Sequence, residues 1–324
     1  MKYLKAKILL LCFQSLFVSI AFAEEFEIKH ADSLEAEKEK INIKGSVVIN
    51  YKDSVIEAPE CIIESNSKGE PEKAIFTGRA KLKLKDRILE GDKITVSIKD
   101  KVIIAEGNTL SKLKDKKNND IEISADFQEL HWSGEDANAK GNLKTIYQDT
   151  EVNSDEAKII YKNKRPEQAV FLGKLKQANL EQPTSITFAN EFTFDIDSKN
   201  IQGRGDVKST IWPNQKLPRE KQDPVHLNSE DLYIDQGSGI ITAKSGIEKV
   251  NVDYQDTKGE SREAYLIRDN KDGKPEKILF IGNANVSQID KQITSEEVVF
   301  NFKDKKLTSN TKTNIRPKTI IFKK

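Results

Sequence analysis

Apolar and polar residues alternate along most of the chain with a period of two. The pattern is plainest at residues 81–85 (KLKLK), 192–197 (FTFDID) and 300–302 (FNF). Alternation of this kind is typical of strands with one face in water and one face buried. No apolar stripe with a 3.6-residue period follows residue 24, and turn-forming pairs such as Asp272-Gly273 separate the runs. The sequence therefore predicts an all-β protein.

The strands recur as a unit. A small residue followed by Asp, Asn or Glu opens each unit, alternating positions follow, and an apolar run next to a glycine closes it, as from Ala125-Asp126 to Gly141. The marker glycines, 29 to 43 residues apart, are Gly45, Gly78, Gly107, Gly141, Gly173, Gly203, Gly246 and Gly282. A regular spacing of this size predicts stacked structural units that share one core.

A longer repeat lies over the first. The segment GEPEKAIFTG at residues 69–78 returns in similar form at 165–173 and 273–282. In each copy the proline favours a turn, the apolar run predicts a strand, and the final glycine permits a corner or a positive φ. Three copies of one turn indicate a repeated structural feature of the fold and do not point to a catalytic site.

One stretch interrupts the spacing. Residues 212–224 hold three prolines and a run of charges, which predict an exposed loop or linker. We therefore expect one β module at residues 24–213 and a second at 214–324, with a signal peptide at 1–23.

The first residues have the form of that signal peptide. Three lysines precede an apolar run, Ile8–Phe22, and cleavage is expected between Ala23 and Glu24. The run is shorter than a membrane-spanning helix, which needs about 20 apolar residues. An uncleaved anchor and lipidation at Cys12 are the weaker alternatives. We expect export to the periplasm.

Composition fits a folded protein with a modest core. Lys and Arg number 53 against 52 Asp and Glu, and the formal net charge of +1 gives none of the basic surplus typical of nucleic-acid binding. Loss of the leader would leave Cys61 as the one cysteine, so no intramolecular disulfide is expected. We expect Cys61 to be a small core residue.

Residues that could carry chemistry are scattered. His30, His131 and His226 have no cysteine or histidine at metal-ligand spacing, and no nucleophile-elbow, zincin or phosphate-loop motif occurs. The sequence predicts no enzyme activity, no catalytic or metal-binding residue and no cofactor.

Two charged patterns have a plain interpretation. Asp195 and Asp197 flank one apolar position and are predicted on a solvated outward face. Lys81, Lys83 and Lys85 line one face of a strand and are predicted to be solvated or to lie on an edge, where lysines discourage aggregation. Contact with lipid phosphates at a groove mouth is the alternative for these lysines.

Several segments resemble the LptA (OstA-like) family of periplasmic lipopolysaccharide-transport proteins. The resemblance is carried by Gly78–Leu84 and Leu89–Thr95, by the first unit from Ala31 to Ile49, and by Gly282–Val286 with Ile293–Val298. It covers nearly all of the chain after the leader. The chain holds about nine units where a family member usually has about four, which suggests two modules in tandem or an extended relative.

The resemblance implies a twisted, open β jelly roll whose apolar groove holds the acyl chains of lipid A, with no enzymatic step. It further implies a bridge from inner to outer membrane. Its partners would be lipopolysaccharide and, by edge-strand pairing, an LptC-like inner-membrane protein and an LptD-like outer-membrane protein. Head-to-tail self-association is a further expectation, and nucleic acid is not expected.

Alternation selects the inward positions, although it does not distinguish a lined groove from a dry core. The groove candidates are Ile43, Val47, Ile49, Leu82, Leu84, Ile94, Val96, Ile98, Phe192, Phe194, Ile196, Phe300 and Phe302. Two other functions stay open: an LptC-like component held by an uncleaved anchor, and a structural β-solenoid with a dry core and no ligand.

Overall fold

The computed structural model describes residues 26–84, 86–131, 136–269, 273–310 and 317–322. They form 24 strands and a single 3-10 turn, Arg219–Lys221. The all-β prediction is confirmed. None of the helical structure in these ranges is long and apolar enough to cross a bilayer. The predicted signal peptide, with its cleavage site between Ala23 and Glu24, lies outside the described residues.

The strands are β1 (Phe26–His30), β2 (Ser33–Ala36), β3 (Lys40–Tyr51), β4 (Ser54–Ser65), β5 (Pro71–Leu84), β6 (Arg87–Ser97), β7 (Val102–Lys114), β8 (Asp120–His131), β9 (Asp136–Tyr147), β10 (Thr150–Lys162), β11 (Arg165–Leu172), β12 (Ala178–Gln182), β13 (Ser185–Ala189), β14 (Glu191–Asp195), β15 (Ile201–Ile211), β16 (Val225–Ile234), β17 (Ile241–Lys244), β18 (Val250–Tyr254), β19 (Thr257–Ser261), β20 (Glu263–Arg268), β21 (Pro275–Gln288), β22 (Lys291–Asn301), β23 (Lys306–Asn310) and β24 (Lys318–Ile321).

The chain divides into two compact units, the first ending at Lys101 and the second beginning at Val102. The module boundary expected at residues 213 and 214 stays a prediction. Strands β15 and β16, on either side of that boundary, pair with each other from Ile201↔Ile234 to Ile211↔Val225.

In the first unit every long strand serves two layers. The first half of β3 pairs with β2 and its second half with β1, and the register shifts between Lys44 and Val47. β4 and β5 shift in the same way between Glu57 and Glu60 and between Thr77 and Ala80. Each strand thus bends at a corner and passes from one layer to the other.

The second unit repeats this plan, and we call its two layers sheet A and sheet B. Sheet A contains residues 109–114, 120–125, 143–147, 150–154, 178–182, 185–189, 207–211, 225–229, 250–254, 257–261, 284–288, 291–295 and 318–321. Sheet B contains residues 102–106, 127–131, 136–140, 156–162, 165–172, 191–195, 201–204, 231–234, 241–244, 263–268, 275–281, 297–301 and 306–310.

Sheets A and B form the predicted open jelly roll. All the pairings are antiparallel, and the buried positions of both sheets point into the space between them. The corners of the strands lie along one side of this space. The hairpin turns at the other ends of the strands lie along the opposite side, which we call the mouth.

A pair of residues with positive φ makes the corner in β3, β5, β7, β9, β15 and β21. At the last one, Gly282 has φ 84° and Asn283 has φ 50°, and such a pair is possible because glycine carries no Cβ. The same construction occurs at Gly45-Ser46, Gly78-Arg79, Gly107-Asn108, Gly141-Asn142 and Gly205-Asp206. Gly203, one of the marker glycines, lies two residues before the corner that Gly205 makes.

The structure explains why an acid or amide opens several of the repeats, although Pro59 covers Gly78 and Arg262 covers Gly282. The side chain of Asp126 packs over Gly141 on the next strand, where a Cβ would lie 2.5 Å from Oδ2 of Asp126. Asp32 covers Gly45 and Asn190 covers Gly205 in the same way. The first and last residues of the sequence unit are therefore neighbours at the corner.

At Gly173 and Gly246 a short loop replaces the corner. Asp155 accepts the N–H groups of residues 174–176, and Glu230 accepts those of residues 246–248. These hydrogen bonds lower the pKa of both carboxyl groups, although the burial of each acts in the opposite direction. The central side chains, Leu175 and Ile247, are 94% and 96% exposed.

Candidate functional site

The structure places the groove candidates on the inner faces of the layers, mostly out of contact with solvent. In the first unit Ile43, Val47, Ile49, Leu82, Ile94 and Val96 are buried, and in the second unit Phe192, Phe194, Ile196 and Phe300 are buried. Leu84, Ile98 and Phe302 are half-buried. Cys61 is buried as expected, and burial raises the pKa of its thiol.

In the second unit the two sheets touch through aromatic side chains. Tyr147 of sheet A meets Phe194 of sheet B edge to face, with ring centroids 5.6 Å apart. Tyr254 of sheet A meets Phe300 of sheet B at 5.8 Å, and it also meets Phe302 at 5.0 Å. Such contacts add to the energy of burying apolar surface and hold the sheets together in this state.

A cavity of about 440 Å³ lies at the mouth, between the turns of sheet A and those of sheet B. Its lining residues are Tyr147, Gln148, Asp149, Thr150, Gln182, Pro183, Thr184 and Ser185 from the sheet A side, Phe194, Lys199, Ile234, Gln236, Ile241 and Arg268 from the sheet B side, and Gln215. Phe194, a groove candidate, forms part of its wall.

Arg268 is the unusual residue of this lining. Its side chain is 7% exposed, and its Nε donates a hydrogen bond to the carbonyl oxygen of Pro213 at 3.1 Å. Its Nη2 has no hydrogen-bond partner among the described residues. Burial lowers the pKa of the guanidinium to about 10, so the group still carries its charge at neutral pH.

The long insertion at residues 212–224 crosses the mouth as a strap. On the sheet A side, Arg219 donates to Oε1 of Glu181 at 2.8 Å and to the carbonyl oxygen of Pro183 at 2.9 Å. On the sheet B side, Gln215 N–H donates to the carbonyl oxygen of Gly273 at 3.2 Å, near Arg268. The predicted loop therefore connects the ends of both sheets.

Two exposed side-chain contacts also bridge the mouth. Lys116, in the turn after β7, forms an ion pair with Asp197, in the turn after β14, and the hydrogen bond to Asp197 raises the pKa of Lys116. Lys199 donates to Oε1 of Gln148 at 2.6 Å.

The structure gives the two aspartates separate roles. Asp195 is half-buried and accepts hydrogen bonds from the N–H and the hydroxyl of Ser198, both at 2.7 Å. Its burial raises the pKa, but these bonds outweigh that effect and lower it. Asp197 is exposed and pairs with a lysine of the opposite sheet. The prediction of a merely solvated face omitted these contacts.

The lysine row is paired in the described part. Lys81 lies 2.7 Å from Glu90 and Lys83 lies 2.6 Å from Glu57, both on neighbouring strands. Lys85 lies outside the described residues. These pairs fit the prediction of a solvated strand face.

Among the described residues no group of three or more His, Cys, Asp or Glu side chains could hold a metal ion. His131 lies 3.5 Å from Glu129 and 3.6 Å from Asp136 on an exposed strand end. That the chain is not an enzyme stays a prediction.

The interiors of the two units differ in polarity. Within the described first unit, the buried polar side chains are those of Ser54 and Thr95. In the second unit they are Thr109, Ser111, Asp115, Gln128, Thr145, Thr150, Ser154, Ser185, Thr187, Ser209, Ser245, Thr257, Ser261, Arg268, Gln288 and Ser295. Most of these lie on sheet A or at its ends, so sheet A presents many hydroxyl groups to the apolar face of sheet B.

The first and last described strands are sheet edges. In the described residues, β1 and β2 pair with β3 alone, and β23 and β24 pair with β22 alone. Leu34 is 43% exposed on β2, and Ile321 is 76% exposed on β24. Both edges combine unpaired backbone groups with accessible apolar side chains.

The chain was compared with protein-family models, with curated proteins and with solved structures, and the match comes from the solved structures. No protein-family model matches the chain, and no curated protein matches it. Among solved structures, it is similar to LptH from Pseudomonas aeruginosa, described as the LptA homologous periplasmic component of the conserved lipopolysaccharide transport device. The match has 15% identity and a TM-score of 0.34, and it covers 42% of this chain and 94% of LptH.

Proposed function

We propose that this protein is a periplasmic component of lipopolysaccharide transport that shelters the acyl chains of lipid A between two β-sheets. The proposal rests on the sequence resemblance to the LptA family and on one observation of the fold. That observation is the cavity at the mouth of the second unit, which reaches between sheets A and B to the ring of Phe194.

The inner faces offer acyl chains a suitable surface. Phe171, Phe192, Phe194, Phe280 and Phe300 all lie on the inner face of sheet B and are 0–6% exposed. Transfer of an acyl chain to such a surface is favourable by about 0.8 kcal/mol for each CH₂ group buried. Because this surface is closed in the present state, lipid entry requires the sheets to separate at the mouth.

The contacts across the mouth are weak enough to allow this. Lys116 and Asp197 are 39% and 45% exposed, and exposed ion pairs contribute about 0–1 kcal/mol. The strap adds a few hydrogen bonds at each side. The larger cost of opening is the loss of the Tyr147–Phe194 contact, which an acyl chain between the sheets would replace.

The two edges support a bridge. An edge strand can take up a strand of another protein through its backbone N–H and C=O groups. We propose that the edge of β1 and β2 and the edge of β23 and β24 bind an LptC-like protein, an LptD-like protein or a further copy of this chain. The periplasmic location that this requires depends on the predicted signal peptide.

Photocrosslinking in cells tests the proposal. A photoreactive amino acid replaces Phe194 in one strain, and in a matched control it replaces Thr193, which precedes it on the same strand and points outward. Asp195, the neighbour of Phe194 on its other side, is unsuitable as the control because its side chain holds the adjoining turn. Lipopolysaccharide crosslinked at Phe194 and not at Thr193 supports the groove.

Absence of adducts at Phe194 and also at Phe300, in a folded and exported protein, would contradict it. That outcome would favour the structural protein with a dry core. An LptC-like anchored component is the second alternative, and amino-terminal sequencing that finds Glu24 as the first residue would remove it.

A further inference from the structure

The buried guanidinium of Arg268 is incompletely satisfied. Nε reaches the carbonyl oxygen of Pro213, while Nη2 has no partner in the described part of the chain. No described carboxylate forms an ion pair with it. An unpaired buried charge is costly, so an arginine in this position indicates that an anion completes the site.

The space in front of Arg268 suits an oxyanion. The cavity lining includes Thr150 and Ser185, and the hydroxyl of Ser185 donates to Oε1 of Gln182 at 3.4 Å. The Thr150 hydroxyl accepts a hydrogen bond from Gln182 at 3.3 Å, which leaves its hydrogen able to donate. A guanidinium together with the hydroxyl donor of Thr150 is the kind of donor set that binds phosphate groups.

The charge balance of the cavity points the same way. Arg268 and Lys199 are the cations of the lining, and Asp149 is its one carboxylate. Lys199 donates to the neutral side chain of Gln148, so its charge is not neutralised there. The lining thus carries one net positive charge, which favours an anion as the ligand.

We propose that this cavity binds a phosphate group through Arg268. A volume of about 440 Å³ exceeds what inorganic phosphate fills, so the ligand carries an organic part as well. The phosphate belongs either to a small soluble phosphate ester or to a lipid headgroup. The site stands on the cavity and on Arg268, and it does not require that the protein transports lipopolysaccharide.

Thermal unfolding with inorganic phosphate as the probe tests the site. Sodium phosphate should raise the Tm of the full chain above that in sodium chloride of equal ionic strength, because a ligand that binds the folded state stabilises it. Arg268→Gln should abolish this rise. The matched control is Arg204→Gln, which removes the same charge from an exposed residue of the corner region and should respond as the wild type does.

A second variant allows the site to be tested even where Arg268→Gln does not fold. Asp149→Asn removes the carboxylate from the rim, and calorimetric titration should then show phosphate binding several-fold more tightly. A Tm that phosphate raises no more than chloride does, an equal rise in Arg268→Gln, or unchanged or weaker binding by Asp149→Asn would each overturn the proposal.

Short-chain phosphatidic acid, used below its micelle concentration, distinguishes the two sources. Tighter binding than inorganic phosphate, with loss in Arg268→Gln, assigns the site to a lipid headgroup. Binding of inorganic phosphate without tighter binding of phosphatidic acid assigns it to a soluble phosphate ester. Crosslinking at Phe194 reports on lipopolysaccharide transport separately, so either proposal can fail while the other stands.

Discussion

The corner and the mouth of the second unit are closed by different kinds of contact. At the corner, the N–H of Asn190 donates to the carbonyl oxygens of Arg204 and Gly205 at 3.1 and 3.0 Å, and the N–H of Arg262 does the same to Ile281 and Gly282. At the mouth, the two sheets are joined by exposed side chains and by the strap at residues 212–224.

The difference shows where this fold can open. At the corner, backbone hydrogen bonds join neighbouring segments, and strands such as β15 and β21 run on from one sheet into the other. Separating the sheets there would break these strands. Mouth contacts are mainly between side chains on turns, and exposed pairs of this kind are weak. Under the proposed function, we therefore expect the corner to act as the hinge and the mouth as the opening of a cleft.

The largest expected difference concerns the phenylalanines of sheet B. Phe280 lies two residues from a corner and is 0% exposed, whereas Phe194 borders the cavity. Phe280→Ala should lower the free energy of unfolding by about 3–5 kcal/mol. Phe194→Ala should cost about 3 kcal/mol or less, because its ring already has a void on one side. Urea unfolding measures both, and equal losses would contradict the distinction.

A glycine substitution compares the two regions at the backbone. Gly282→Ala places a Cβ at φ 84° and 2.9 Å from Cβ of Arg262, and the left-handed conformation alone costs about 1–2 kcal/mol. Gly237→Ala, the same change in a mouth turn, should stay within about 0.5 kcal/mol. Thermal unfolding measures both variants. A similar loss of stability at both positions would mean that the backbone of the corner tolerates a side chain as well as the mouth turn does.

Removal of the ion pair across the mouth should change dynamics more than stability. Lys116→Gln should lower the free energy of unfolding by less than about 1 kcal/mol and raise amide hydrogen exchange at residues 195–200. Lys144→Gln is the matched control, since its pair with Glu151 joins neighbouring strands of sheet A. The same rate of exchange in both variants would show that the Lys116–Asp197 pair does not restrain the mouth.

The smallest effect concerns pH. The N–H groups of residues 246–248 lower the pKa of Glu230, so its contribution to stability is present above the unfolded pKa of about 4.3 and is lost as the pH falls through the lower folded value. Glu230→Gln should reduce the Tm at pH 7, and the difference from wild type should shrink toward pH 3. Glu248→Gln serves as the control. A difference in Tm between Glu230→Gln and wild type that does not change with pH would show that the ionised carboxylate is not its cause.

Much of the fold could be predicted from the sequence because its signals are local. Alternation at Phe192 and Phe194 gave the strand and its inward face, and Gly78 and Gly282 marked corners. Gly173 differs, because there the chain forms a loop held by Asp155, and a glycine has the same appearance in the sequence in both cases.

The mouth was harder to predict because its partners are distant in sequence. Lys116 and Asp197 are 81 residues apart, and neither belongs to a repeated motif. The segment at 212–224 was recognisable as a loop, but its position across the mouth depends on Arg219 and Gln215 reaching different sheets. Arg268 ends an ordinary strand, and its buried guanidinium donates to Pro213 of that strap, 55 residues away in sequence.

Pulsed EPR distances on the folded protein test the hinge and the cleft together. With Cys12 and Cys61 replaced, one spin-label pair at Asp149 and Gln236 spans the mouth, and a second at Leu175 and Ile247 lies on the fully exposed loops of the corner side. Lipopolysaccharide should lengthen the mouth distance and leave the corner distance unchanged. A mouth distance that stays the same with lipopolysaccharide bound, or an equal change at both pairs, would contradict a cleft that opens at its mouth.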